Sequence, residues 1–499
     1  MTLYDEFRYP GKFYPQASPE RMATLATLFG ARPAPVDHCR VLELGCGEGG
    51  HTIPLAYALP QSQFVGVDLS EASIKRAREL AARLGLNNAE FRALDLTQFP
   101  ADAGTFDYII AHGLYSWVPE AVRQAVLEVC GKHLAPDGVV YVSYNTYPAG
   151  HLRQIPRDLM RFHTRHISDP ATKVREARNI LEFVISAIPQ PTHERELLKR
   201  ELAVYKKSDA FVFFDPLSET SDPFYFLDFM EQAAAHGLQF VAEAEIQNMR
   251  TAHLVENVRR QLDAMTDRLL REQYLDFINW RGFRQTILCR AGHDLDLTLV
   301  PERMEWLMIM CSMKPVQPIA DLNSAEKVEF RDFYAHTVTV EEPLPKAVYL
   351  ELGERFPRAV RYAELRERAC RRVGLDGGHL EVETEAKLIR MLVSSYANGV
   401  AEFHVYQGPF CTEVSERPVA SALARIQAEA GTPVTSLYLA GFTMEDSVLR
   451  RLLPLLDGTR DHAQLLSDLR QCVNGDQEVT AETMGKALKT LAAYGMLMG

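Results

Sequence analysis

The 499-residue chain has no run of roughly 20 consecutive apolar residues, so nothing in it is long enough to span a bilayer as a helix. Its start, Met1-Thr2-Leu3-Tyr4-Asp5-Glu6-Phe7, lacks both a basic leader and an apolar signal core, and a cytoplasmic location without membrane partners is the expectation. The eight cysteines, at 39, 46, 130, 289, 311, 370, 411 and 472, lack the paired spacing of a zinc site or a disulfide scaffold and read as reduced, buried thiols. Basic charge is short as well: 54 Lys and Arg face 66 Asp and Glu, a net charge of −12. That balance argues against a broad phosphate-binding surface and makes nucleic acid a poor first choice of partner. With 47% hydrophobic and 24% charged residues the chain sustains several ordinary cores, and disorder is excluded.

What is present is concentrated in Val41-Leu42-Glu43-Leu44-Gly45-Cys46-Gly47-Glu48-Gly49-Gly50, a buried strand running into a glycine loop. Such a strand-loop-helix unit binds a nucleotide cofactor at the carboxyl end of a parallel sheet, because glycines let backbone N–H groups approach the ligand. Gly45, Gly47 and Gly50 also fit a dinucleotide fingerprint, which on its own is weak. Glu43 breaks the tie, since a carboxylate inside the strand suits a cationic ligand, and S-adenosylmethionine carries a sulfonium and an ammonium. Cys46 fills the loop as a small spacer.

Two further apolar runs end in acids. Phe64-Val65-Gly66-Val67-Asp68 places Asp68 to accept both ribose hydroxyls, and the run 88–96 places Asp95 to accept the adenine amine. Gly49, Leu69, Leu96 and His112 complete the expected cofactor contacts. Strands at 106–112 and 138–144, with helices at 71–84 and 121–134, continue the alternation, giving an α/β doubly wound sheet. Asp107, at a strand entry, reads as structural.

On these motifs the chain resembles the class I methyltransferases. More narrowly it is similar to the bacterial protein lysine methyltransferases that carry a methyltransferase regulatory domain. The narrower likeness rests on His112-Gly113-Leu114-Tyr115-Ser116-Trp117-Val118-Pro119, Ser143-Tyr144-Asn145-Thr146-Tyr147-Pro148, the leading segment from Tyr9-Pro10 through Gln16 to Pro19, and Asp276-Phe277 with Arg281 and Phe283-Arg284-Gln285. It implies a seven-stranded Rossmann-like sheet, S-adenosylmethionine as cofactor, no metal, and a protein acceptor. Departures fall at Gln16-Ala17-Ser18-Pro19, where the family usually has Gln-Thr-His-Pro, at His51 for Asn, and at Pro148-Ala149-Gly150 for Pro-Gly-Trp.

Residues 1–295 are expected to form the methyltransferase domain. Within it 151–221 is a helical insertion, acting as lid or substrate platform, and 222–295 supplies the last helix and the two strands 237–246 and 283–290. A strand-rich connector at 296–345 leads to winged-helix-like units at 346–410 and 430–499, through which a homodimer is expected to form. Their acids, Glu381, Glu383, Glu385, Asp461, Asp468, Asp476, Glu478 and Glu482, oppose DNA binding. At the acceptor edge Tyr115, Trp117 and Tyr147 are expected to form an aromatic slot for a cation, with His112 or Tyr144 taking its proton and Asn145 orienting the amine. Tyr14, Gln16 and His163 are further substrate-side residues. Methylation of a small molecule or peptide, and a non-catalytic cofactor-binding regulator, stand as alternatives.

Overall fold

The computed structural model describes residues 11–189, 192–206, 208–295, 300–333, 335–376, 380–431, 433–472 and 479–499. Tyr9, Pro10, Asp476 and Glu478 lie outside the described residues.

Seven strands, β1 (Arg40–Leu44), β2 (Gln63–Asp68), β3 (Ala89–Ala93), β4 (Phe106–Ala111), β5 (Leu134–Asn145), β6 (Leu238–Glu243) and β7 (Phe283–Arg290), form one sheet in the order 3-2-1-4-5-7-6. The first five pair in parallel; β7 runs antiparallel between β5 and β6. This is the class I methyltransferase sheet, and it closes with strands drawn from beyond residue 222, as the alternation there implies. The largely apolar β1 and β4, each interrupted by one acid (Glu43 and Asp107), reflect a sheet covered on both faces. Side chains alternate across it: Val139 and Tyr141 join the core under the helix Pro19–Leu28, while Val140, Val142 and Tyr144 join the core under the helices Glu120–His133 and Phe226–Ala235. β5 starts at Leu134 rather than 138. A register shift between Phe106 and Tyr108 lets Leu134 pair with Phe106 and absorbs the turn-like Ala135-Pro136-Asp137.

The helices Ala149–Thr164, Pro170–Ala187, His193–Tyr205 and Asp209–Phe214 follow β5 and share a separate core around Val174, Leu181, Leu202 and Val212. Asp169, Thr192 and Ser208 cap three of them by accepting a backbone N–H of the first turn.

Two sequence boundaries shift. β8 (Met308–Met310) falls in the expected strand-rich connector and is the central strand of a small antiparallel sheet, between β9 (Val360–Arg361) and β10 (Glu402–His404) of the following unit. Its apolar Ile309 needs cover on both sides, and the neighbouring unit supplies it. The terminal unit likewise begins before 430: Val419–Ala420 pairs with Leu497–Met498, and the helix Ala422–Glu429 packs in the terminal core. Leu423 of that helix leaves this core and inserts among Cys46, Ile53, Ile74, Ala77 and Phe91, beneath the glycine loop. Tyr57 bolts the seam, its hydroxyl accepting from the Ala422 N–H at 3.0 Å. No helix among the described residues is long and apolar enough to cross a membrane.

Candidate active site

The glycine loop is stitched to the end of β2. Gly45 and Cys46 donate their N–H groups to the Val67 carbonyl at 2.8 and 3.0 Å, and Gly47 donates to Asp68 Oδ2 at 2.8 Å. The Ser70 N–H donates to Asp68 Oδ1 at 2.9 Å, so the carboxylate is held by backbone on both oxygens. Gly47 adopts φ +53°, and a Cβ there, or on Gly113, would meet nothing within 4 Å. Both therefore border open space at the carboxyl end of the sheet, where Leu69 is 61% exposed. Asp95 accepts from the Thr97 N–H and hydroxyl at 3.0 and 2.8 Å, which shapes the turn after β3; Leu96 is buried behind it. Asp107 binds the Arg40 N–H at 2.8 Å and is structural.

Glu43 is buried, hydrogen-bonded by the Thr52 hydroxyl, and its carboxyl is pushed up to about 8 by burial, with the Asp68 charge adding to the effect. A buried acid in an open-topped cradle supplies the acceptor and countercharge that a sulfonium and ammonium ligand needs, so these residues fit S-adenosylmethionine. Cys46 is buried and its thiol raised well above its ordinary value by desolvation, so it serves packing rather than nucleophilic chemistry.

His112 ends β4. Its Nδ1 lies 2.9 Å from the Tyr141 hydroxyl and 3.4 Å from Ser143 Oγ, and its ring packs 3.7 Å from that of Tyr14. Burial, with His51 and Lys12 nearby, lowers it to about 3. A neutral, weakly basic imidazole of this kind is a poor acceptor for an ammonium proton.

The expected aromatic slot does not form. Tyr115 is fully buried against Phe224 and Phe229, its hydroxyl donating to Gln232 Oε1 at 2.8 Å, because the short helical turn Tyr115–Trp117 folds it inward. Tyr144 points to the same helix-covered core by the strand's two-residue period, and its hydroxyl lies 3.1 Å from Thr286 Oγ1; burial keeps that phenol protonated. Tyr147 remains half-exposed, stacked on His151 at 4.1 Å and facing Tyr225 at 5.0 Å. Trp117 is half-buried beside the turn. Asn145 closes β5 with its N–H donating to Ser116 Oγ at 2.8 Å. His163 faces Glu176 across the insertion at 3.9 Å, in a helix-to-helix contact.

The leading segment singled out in the sequence forms a strap across this edge. Residues 11–18 run over the glycine loop, with Gln16 half-buried in a single helical turn, Pro15–Ala17. A Cβ on Gly50 would come 2.4 Å from the Gly11 carbonyl carbon, so glycine is obligatory there for close approach, not for its dihedrals. His51 Nδ1 accepts the Tyr14 N–H at 3.3 Å, which leaves Nε2 to donate to the Ala17 carbonyl at 3.3 Å. Two of the sequence departures, His51 and Ala17-Ser18, thus meet in space. Gly50→Ala is expected to lift the strap: limited proteolysis should cut the first twenty residues at least about tenfold faster, a loss of about 1.4 kcal/mol of local protection. Unchanged cleavage would contradict the contact.

Sequence reasoning missed the charge cluster behind Tyr144. Arg284, fully buried, donates from Nε to Asp276 at 2.8 Å and from Nη2 to Asp276 and Glu272 at 2.9 and 3.2 Å, and its Nη1 pairs with Glu243. Thr286 Oγ1 donates to Glu243 at 3.1 Å, which leaves the Tyr144 hydroxyl as donor to Thr286.

Comparison with known proteins agrees with this architecture. Residues 35–200 match a methyltransferase domain, 208–290 a predicted methyltransferase regulatory domain, and 416–493 the PKMT C-terminal winged helix domain. An uncharacterised protein of Rickettsia prowazekii, RP789, is 33% identical over 373 residues, 73% of this chain and 68% of the relative. Two structures of PKMT2 from Rickettsia typhi cover 98% of this chain and all of theirs. One is 25% identical with a TM-score of 0.86, and the other, in complex with AdoHcy, is 24% identical with a TM-score of 0.87.

Proposed function

The chain belongs to the S-adenosylmethionine-dependent class I methyltransferases that join a methyltransferase domain to a regulatory domain and a PKMT-type winged helix, and from that premise we propose that it methylates lysine side chains of a protein. The observation that carries the lysine reading is the end-to-end correspondence with PKMT2, which extends through the accessory half as well as the cofactor fold. An accessory half of this size suits a macromolecular acceptor better than a small one.

The bound cofactor supplies an electrophilic methyl group on a sulfonium. Glu43 would face its cationic groups, Asp68 its ribose hydroxyls and Asp95 its adenine amine. The strap at 11–18, with Tyr14 against His112, excludes water from the edge where the acceptor enters. The enzyme's remaining task is to align an amine within about 3–3.5 Å of the methyl carbon after that amine has lost a proton, its ordinary pKa being about 10.4.

Because Glu43 sits near 8, at neutral pH it is mostly protonated, and a cationic ligand favours its ionised form. Cofactor binding at pH 7 should therefore release up to about one proton, and affinity should fall up to about tenfold per pH unit below 8. Titration calorimetry in buffers of different ionisation enthalpy measures this directly, and Glu43→Gln should abolish the release. Incubation of purified enzyme and tritiated S-adenosylmethionine with cell lysate tests the whole reading. Labelled protein with mass-spectrometric methyl-lysine supports it; label only in a small product, or none, overturns it.

A further inference from the structure

Between the end of β5 and the helical insertion lies a narrow cavity, with room for about one water molecule, lined by Asn145, Arg153, Arg157, Tyr205, Asp215 and Pro223. Asn145, the last residue of β5 at the carboxyl edge of the sheet, forms part of its wall. Gly150 keeps its wall tight, since a Cβ there would come 2.7 Å from Pro223 Cβ. The Asp215 carboxylate makes no hydrogen bond or ion pair with any other described residue, unlike Glu43, Glu243 and Asp276, which are all engaged. The Asn145 side-chain amide is likewise uncommitted among the described residues, its main-chain N–H and carbonyl being bound to Ser116 and Phe224. The loop that carries Asp215 is fixed: Arg157, buried, donates to the carbonyls of Pro216, Ser218 and Glu219 at 2.6, 2.8 and 3.2 Å.

We propose that Asp215, acting through a water held between it and Asn145, is the relay that receives the proton shed by the acceptor ammonium. This rests on the lysine reading above. The ammonium loses one proton to the water and thence to the carboxylate, giving a neutral amine and a carboxylic acid. The nitrogen lone pair then forms the N–C bond as the S–C bond breaks, leaving the neutral thioether, and Asp215 returns its proton to solvent. The groups around Asp215 suit the task. Burial raises its carboxyl to about 7, Arg153 and Arg157 on the helix Ala149–Thr164 oppose that rise, and Glu201 on the helix His193–Tyr205 adds to it. The acid is thus poised near neutrality. Asp215 is a positioning and relay residue, since it reaches the reacting nitrogen only through water.

Lysine methylation of lysate protein, quantified by mass spectrometry across pH 5.5 to 9, tests the relay. Wild-type turnover should rise with a limb centred near pH 7. Asp215→Asn should lower turnover about 100-fold at pH 7.5 and erase that limb, leaving a steady rise with pH, while cofactor affinity stays within about twofold. Asn145→Ala, which removes the other anchor of the water, should erase the same limb if the first variant folds poorly. A limb unchanged in either folded variant overturns the relay alone. Wild-type enzyme that methylates no lysine overturns the lysine reading and the relay with it.

Discussion

Asp68→Ala is expected to lower S-adenosylmethionine affinity by about 100-fold or more, roughly 3 kcal/mol, measured by titration calorimetry. Two effects add. On the proposed reading the carboxylate accepts the ribose hydroxyls, and hydrogen bonds to a charged group are worth about 1.5–3 kcal/mol each. It also clasps Gly47 and Ser70 by their N–H groups, so its loss frees the loop that forms the rest of the cradle. Ser70 caps the following helix by accepting from the Ser73 N–H, and that cap survives the substitution, so the fold should hold. Asp68→Asn keeps an acceptor but loses the charge, and should fall between the two. Normal affinity in the alanine variant would refute the assignment.

Arg284→Ala should destabilise the methyltransferase domain by about 3–5 kcal/mol, the range for removing one partner of a buried ion cluster. The guanidinium is fully buried, faces Glu243, Glu272 and Asp276, and lies 3.8 Å over the Phe226 ring. Arg281 lies 3.2 Å from Asp276 and 3.7 Å from Glu272, so without Arg284 the three carboxylates keep one cation in ion-pair range among the described residues. Glu272 and Asp276 are already raised by burial, an effect Arg284 opposes. Deleting it raises them further. A carboxyl raised in the folded state binds more protons there than in the unfolded chain, so stability falls as pH climbs above the unfolded value. The deficit should accordingly be larger at pH 8 than at pH 5, and denaturant titration at both values checks the sign. A deficit independent of pH would mean that lost packing dominates.

The parts of the fold legible in the sequence were those with strong periodicity. The apolar runs of β1, β2 and β4, each ending at a glycine, an acid or a histidine, fix the sheet and its loop edge because few other structures satisfy such runs. Glu43 was legible because a carboxylate inside an apolar strand needs a reason. Side-chain direction was not. Tyr144 lies on the helix-covered face because it shares parity with Val140 and Val142, and the sequence does not say which face the helices will cover. Asp276, Arg281 and Arg284 carried the family resemblance, but their pairing in one buried cluster was not legible, because buried ion clusters have no hydrophobic signature. The pairing of β8 was hidden because its three residues acquire a partner only from β9 and β10, which follow dozens of positions later. Gly50 looked like part of a nucleotide fingerprint, whereas its bare Cα is needed by Gly11.

Leu423 ties the far end of the chain to the chemistry. Its side chain reaches from the terminal unit into the buried cluster that includes Cys46, Ile53 and Phe91 below the glycine loop. Amputating that unit would open a hole directly under the loop and uncap Tyr57, so a shortened enzyme would be handicapped in holding its methyl donor before any question of acceptor choice arose.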